Sequence, residues 1–106
     1  MNGAMNLADY RTVQTWLRST GWDETDSRLE LLGEFCELVD RNPDQMIEEC
    51  LRLVQEGQFK LRGKTRRHYV ERIEEFEEGH GGRARGNVVR SFFIHNGVPI
   101  QPPILR

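Results

Sequence analysis

A chain of 106 residues suffices for one domain with a hydrophobic core but not for a second, and 37% apolar with 30% charged residues leaves a heavily charged surface. No apolar run is long enough to cross a membrane, and Met1 to Asn6 lacks the basic and then apolar regions of a secretory signal, so the expected setting is cytoplasmic and reducing. The net charge of −2 excludes no class of partner, but it is unevenly spread: residues 1–56 carry −7 and residues 57–106 carry +5, as in a protein with one acidic and one electropositive face.

The periodicity predicts helices in succession. Asp9 is placed to cap a first helix reaching about Ser19, with Tyr10, Val13, Trp16 and Leu17 on one face and Thr20-Gly21 ending it. Thr25 and Asp26 offer capping oxygens to a second helix, whose stripe of Leu29, Leu32, Phe35, Cys36 and Val39, widened by Leu31 and Leu38, marks it as the expected central helix. Asn42-Pro43-Asp44 joins a cap, a proline suited to the first helical turn and an acid favoured by the helix dipole, which predicts a third helix over about 43–55 stopped by Gly57.

From Gln58 to Arg67 the chain is basic, with Lys60, Arg62, Lys64, Arg66 and Arg67 leading into a fourth helix that turns Tyr69, Ile73 and Phe76 inward. Its acidic run, Glu71, Glu74, Glu75, Glu77 and Glu78, reads as a solvated face rather than acid catalysis. Gly79-His80-Gly81-Gly82 predicts a break, and it lacks the strand before and the Lys-Ser/Thr after that would make a phosphate loop. A fifth helix follows from Arg83 or Arg85 to Asn96, burying Val88, Val89, Phe92 and Phe93, with Gly97 as its left-handed stop. The organisation expected is therefore a flexible 1–8, an all-α domain over 9–97 built as a compact bundle of four to five short helices, and an extended arm over 98–106. No strand-period segment is predicted.

Cys36, Cys50, His68, His80 and His95 show no close ligand pairing, so no metal and no cofactor is expected. Both cysteines lie in apolar stripes, which argues for core thiols rather than a nucleophile or a disulfide. The basic positions carry more information. From Gly79 onward there is no Asp or Glu, so Arg83, Arg85 and Arg90 place positive charge at a helix start, where the dipole also draws phosphate. Two readings stand: these arginines and Lys60 to Arg67 form one DNA-facing surface, or the arginines pair with the acidic face of the fourth helix.

The segment Asn87-Val-Val-Arg-Ser-Phe-Phe-Ile-His-Asn-Gly-Val-Pro-Ile100 resembles the last helix of the SAM-like core-binding domain of phage-integrase-type tyrosine recombinases. Arg28 to Val39 with Phe35, then Asn42-Pro43-Asp44, is similar to an earlier segment of that family, and Tyr69 to Phe76 to its intervening helix. The resemblance covers about residues 10 to 100. It implies a domain that grips the backbone of double-stranded DNA at a recombination site while a C-terminal catalytic domain of the same parent protein, and other recombinase protomers, complete the complex.

By position, the DNA contacts it implies are Thr25, Ser27 and Arg28 at the second helix and Arg83, Arg85, Asn87 and Arg90 at the last; Lys64, Arg66 and Arg67 join them on charge. Where the family has a Ser/Thr-rich start this chain has Arg83-Ala84-Arg85-Gly86, which shifts the expected contacts to guanidinium groups. The nucleophilic tyrosine and its charge-stabilising partners are not recognisable, since Tyr10 and Tyr69 fall on apolar faces, so no catalytic residue is expected. The alternative is a non-catalytic helical protein-interaction module, docking a partner through its acidic half or its 98–106 arm.

Overall fold

In a computed structural model of the chain, which describes residues 6–55, 58–80 and 82–100, a short 3-10 turn at Leu7–Asp9 precedes α1 (Arg11–Thr20), α2 (Arg28–Val39) and α3 (Pro43–Cys50). A hairpin of β1 (Leu51–Gln55) and β2 (Gln58–Leu61) follows, then α4 (Gly63–His80) and α5 (Gly82–His95). The architecture is all-α in class, among the described residues a bundle of five helices with one appended antiparallel hairpin. None of the helices among the described residues is long and apolar enough to cross a membrane.

The helix ends follow local chemistry, with one exception. Asn42 accepts from the Gln45 amide at 2.8 Å while the Gln45 side chain accepts from the Asn42 amide at 2.9 Å, a reciprocal cap that starts α3 at Pro43. For α2, Asp26 accepts from the Arg28 amide at 2.9 Å, whereas Thr25 is bonded to Asp23 instead. The exception is α1. Asp9 sits exposed in the 3-10 turn and does not cap it; the cap comes from α3, where the Asp44 carboxylate accepts from the Thr12 amide at 3.0 Å and the Thr12 hydroxyl at 2.6 Å. That oxygen satisfies an orphan donor of α1 and ties it to α3.

The third helix stops at Cys50 rather than near 55. Ile47, Cys50, Leu51 and Val54 fit a helical stripe, but Leu51 and Leu53 also alternate, and they pair in register with Leu61 and Phe59. Pairing with the adjacent strand prevails, and the Arg62 amide closes the base on the Cys50 carbonyl at 2.7 Å. The predicted break at 79–82 is also narrower, since Gly79 and His80 belong to α4 and the turn is completed by Gly82 at φ 68°.

The core centres on α5, not on α2 as the apolar stripe implied. α5 packs against α1, α2 and α4, and Phe92 and Phe93 are fully enclosed, Phe92 edge-on to Trp16 at 5.6 Å and Phe93 against Tyr69 at 5.3 Å. Gly97 at φ 90° ends the helix, and the Val98 amide returns to the Phe93 carbonyl at 2.9 Å, a Schellman-type closure. The arm expected from residue 98 is not an arm at its start: Val98 and Ile100 are both fully buried. Residues 101–106 of that expectation, and 1–5 of the flexible N-terminus, lie outside the described residues.

Candidate nucleic-acid interface

The expected contacts fall at the starts of α2, α4 and α5, and the two basic segments among them are held apart by α4. With 18 residues α4 is about 27 Å long at 1.5 Å per residue, and Lys64, Arg66 and Arg67 stand at its start while α5 begins beyond its other end. The two basic segments do not form one surface.

The arginines of α5 are largely spent within the fold. Arg90 is only 3% exposed and forms a buried ion pair with Glu77, its guanidinium also donating to Asn87 Oδ1 at 3.0 Å. Gly86 makes this possible, because a Cβ there would collide with the Glu77 carboxylate where α4 and α5 cross. Glu77 is therefore not part of a solvated acidic face. Arg85, its side chain 14% exposed, bonds Glu34 of α2 at 2.6 Å and lies over the Phe76 ring at 4.0 Å. Arg83 is exposed but borders a shallow cleft with Glu74, Glu77 and Glu78. At the other implied contact, Arg28 pairs with Asp26 at 2.8 Å and stacks over Trp22 at 4.0 Å, and Thr25 and Ser27 are exposed beside it.

The segment from Lys60 to Arg67 behaves differently. Lys60, Arg62, Lys64 and Arg67 are exposed, and none has a carboxylate partner among the described residues; Arg66 donates to the Pro99 carbonyl at 2.9 Å. Elsewhere Arg11, Arg28, Arg41, Arg72, Arg85 and Arg90 are each ion-paired. Arg18 and Arg83 are unpaired among the described residues too: Arg18 sits in the last turn of α1, where the dipole welcomes a cation, and Arg83 stands exposed in the first turn of α5. Lys64, Arg66 and Arg67 open α4, with no acid in its first turn, which is where the dipole opposes them.

Among all these, the residue that sequence reasoning missed is Phe59. It is 64% exposed near the free end of the hairpin, and with Leu51, Leu61 and Ile47 it borders a groove of about 660 Å³. The signal was present: Leu51-x-Leu53 and Phe59-x-Leu61 flank Glu56-Gly57 with period two.

The nucleophile candidates are held protonated. Burial first, then the charge of Glu37 or Glu49, pushes the Cys36 and Cys50 thiols up to about 12. Burial and its hydrogen bond to Glu49 at 2.5 Å also raise the Tyr69 phenol. No group of three or more His, Cys, Asp or Glu side chains among the described residues is placed to hold a metal ion. Compared with known protein families, curated proteins and solved structures, the chain shows no match.

Proposed function

We propose that this domain is a non-catalytic DNA-binding module that engages the phosphate backbone through the hairpin and the start of α4. The observation that carries this reading is the clustering of uncompensated charge: Lys60, Arg62, Lys64 and Arg67 are exposed with no carboxylate partner among the described residues, Lys64 against the dipole of α4, while the other described arginines, Arg83 excepted, are ion-paired, bonded to a backbone carbonyl or dipole-matched. A polyanion supplies the missing counter-charge. The finer form of the proposal is a core-binding domain of a tyrosine recombinase, with chemistry supplied by a separate C-terminal domain. It rests on the closing segment's likeness, whose Phe92, Phe93 and Gly97 serve here as core and helix stop.

The test is duplex binding by fluorescence anisotropy across a salt series. Four phosphate contacts predict a log–log slope of about −3.6, and each charge reversal at Lys60, Lys64 or Arg67 should flatten it by about one unit on any duplex sequence. Reversing Arg18, equally exposed but at the end of α1, leaves the slope unchanged. Binding that ignores both salt and the three reversals defeats the proposal.

A further inference from the structure

The cations explain affinity for a backbone but leave Phe59 unexplained. A two-stranded hairpin is marginal by itself, and this one is held at its base, where Leu51 and Leu61 pack against the core; beyond the pairing of its strands, its principal contact among the described residues is with the preceding helix, α3. Gln58, Phe59 and Lys60 are all exposed, so β2 gains little burial from holding an aromatic ring at its outer end. Of the large apolar side chains that are exposed among the described residues, Phe59 is the aromatic one and the most exposed. Its chain neighbour Lys60 and the following Arg62 and Lys64 have no carboxylate partner among the described residues, and the acid that lines the groove with the ring, Glu48, is paired with Arg11 at 3.8 Å, so whatever covers the ring arrives beside uncompensated cations. Charge complementarity selects an anionic partner, and a flat exposed ring selects one with flat apolar faces. Nucleic acid combines both, because every base offers a π-face beside a phosphate. In closed duplex those faces are stacked away, and an apolar side chain reaches them only where bases are unpaired or easily parted.

Resting on the DNA-binding reading above, we infer that Phe59 is a base-stacking residue and that the hairpin prefers DNA with unpaired bases to fully closed duplex. The groove bordered by Phe59, Leu51, Leu61 and Ile47 gives an extruded base an apolar wall to lie against.

The experiment uses the whole chain and two DNAs of equal length and charge, one fully paired and one with a short central mismatch bubble carrying 2-aminopurine. The wild-type protein should bind the bubble about tenfold more tightly, the gain expected for stacking one base on an aromatic ring, and should quench the 2-aminopurine. Phe59→Ala should lose the preference and the quenching while its affinity for closed duplex and its salt slope stay as they were. Phe59→Tyr should keep both. Circular dichroism and thermal melting verify that each variant is folded, as expected for an exposed site. A bubble preference that survives in Phe59→Ala overturns the inference. So does salt-dependent duplex binding with no bubble preference in the wild type, an outcome that leaves the DNA-binding reading standing and shows that the ring serves another partner, such as an apolar protein segment. No salt-dependent binding to either DNA overturns both.

Discussion

Glu77→Ala isolates the consequence of building a cation into the core. The Arg90 guanidinium is 3% exposed and its ion-pair partner is Glu77, so removing that carboxylate leaves a buried charge held only by the Asn87 amide oxygen. Breaking a buried pair from one side costs about 3–5 kcal/mol, because the remaining charge keeps its desolvation penalty and loses its compensation. Unfolding entropy of about 2.1 cal/mol/K per residue gives a chain of 106 residues roughly 0.2 kcal/mol per degree, so even the lower figure lowers the melting temperature by about 15 °C.

Arg90→Ala should cost less, because the Glu77 side chain is 15% exposed and reaches water once the guanidinium is gone. The double variant Arg90→Met with Glu77→Leu should recover most of the loss, since two apolar side chains carry no desolvation penalty. Thermal melts followed at 222 nm, with urea titrations for the free energies, give all three values. A Glu77→Ala variant melting within 3 °C of wild type would refute the reasoning. The same logic bears on DNA binding: charge reversal at Arg90 acts through unfolding, so a loss of affinity there says nothing about contact with phosphate.

Asp44→Ala removes the cap that α3 supplies to α1 and should cost about 1–2 kcal/mol; in a double-mutant cycle with Thr12→Ala the two losses should be strongly non-additive, where independent effects would contradict the shared hydrogen bond. Gly86→Ala gains up to about 1 kcal/mol of helix propensity but forces Glu77 off Arg90, so urea titration should give a net destabilisation of about 1–3 kcal/mol. Cys36 and Cys50, their thiols raised to about 12 by burial, should react with a thiol reagent at pH 8 only when denaturant is added. Because the folded values lie above the unfolded one, the stability these thiols contribute is intact below about pH 8.5 and declines as pH rises towards 12; stability that rises over that range contradicts the assignment.

What was legible in the sequence was what is local. Asn42, Pro43 and Gln45 start α3 through contacts three residues apart, and Val13, Trp16 and Leu17 mark the inner face of α1 by spacing alone. What was not legible depends on partners distant in the chain. Asp44 caps a helix 32 positions earlier, and the burial of Arg90 follows from Gly86 letting two helices cross closely. The prolines after Gly97 signal extended backbone, but extended backbone is as compatible with a core seat for Val98 and Ile100 as with a free arm. The hairpin failed for another reason: its first strand satisfies two periodicities at once, and only the pairing of Leu53 with Phe59 decides between them. The candidate site moved accordingly, away from Arg85 and Arg90, which the fold consumes, and towards the exposed cations of the hairpin and α4.

That shift carries its own test, since a binding surface built against the preferences of the fold should trade stability for affinity. Lys64 stands in the first turn of α4, where the dipole favours an anion, and Arg67 three residues on adds like charge on the same helix face. Exchanging a cation for an anion in a helix's first turn is worth roughly 0.3–1 kcal/mol at low ionic strength. Lys64→Glu should therefore raise the melting temperature by a few degrees in dilute buffer while weakening duplex binding, and the gain should shrink as salt screens it. Arg85→Glu should do the reverse of the first, because its guanidinium already satisfies Glu34 and covers Phe76. If Lys64→Glu instead destabilises the protein, the lysine is part of the fold's own electrostatics, and the case for an external polyanion at this face loses its main support.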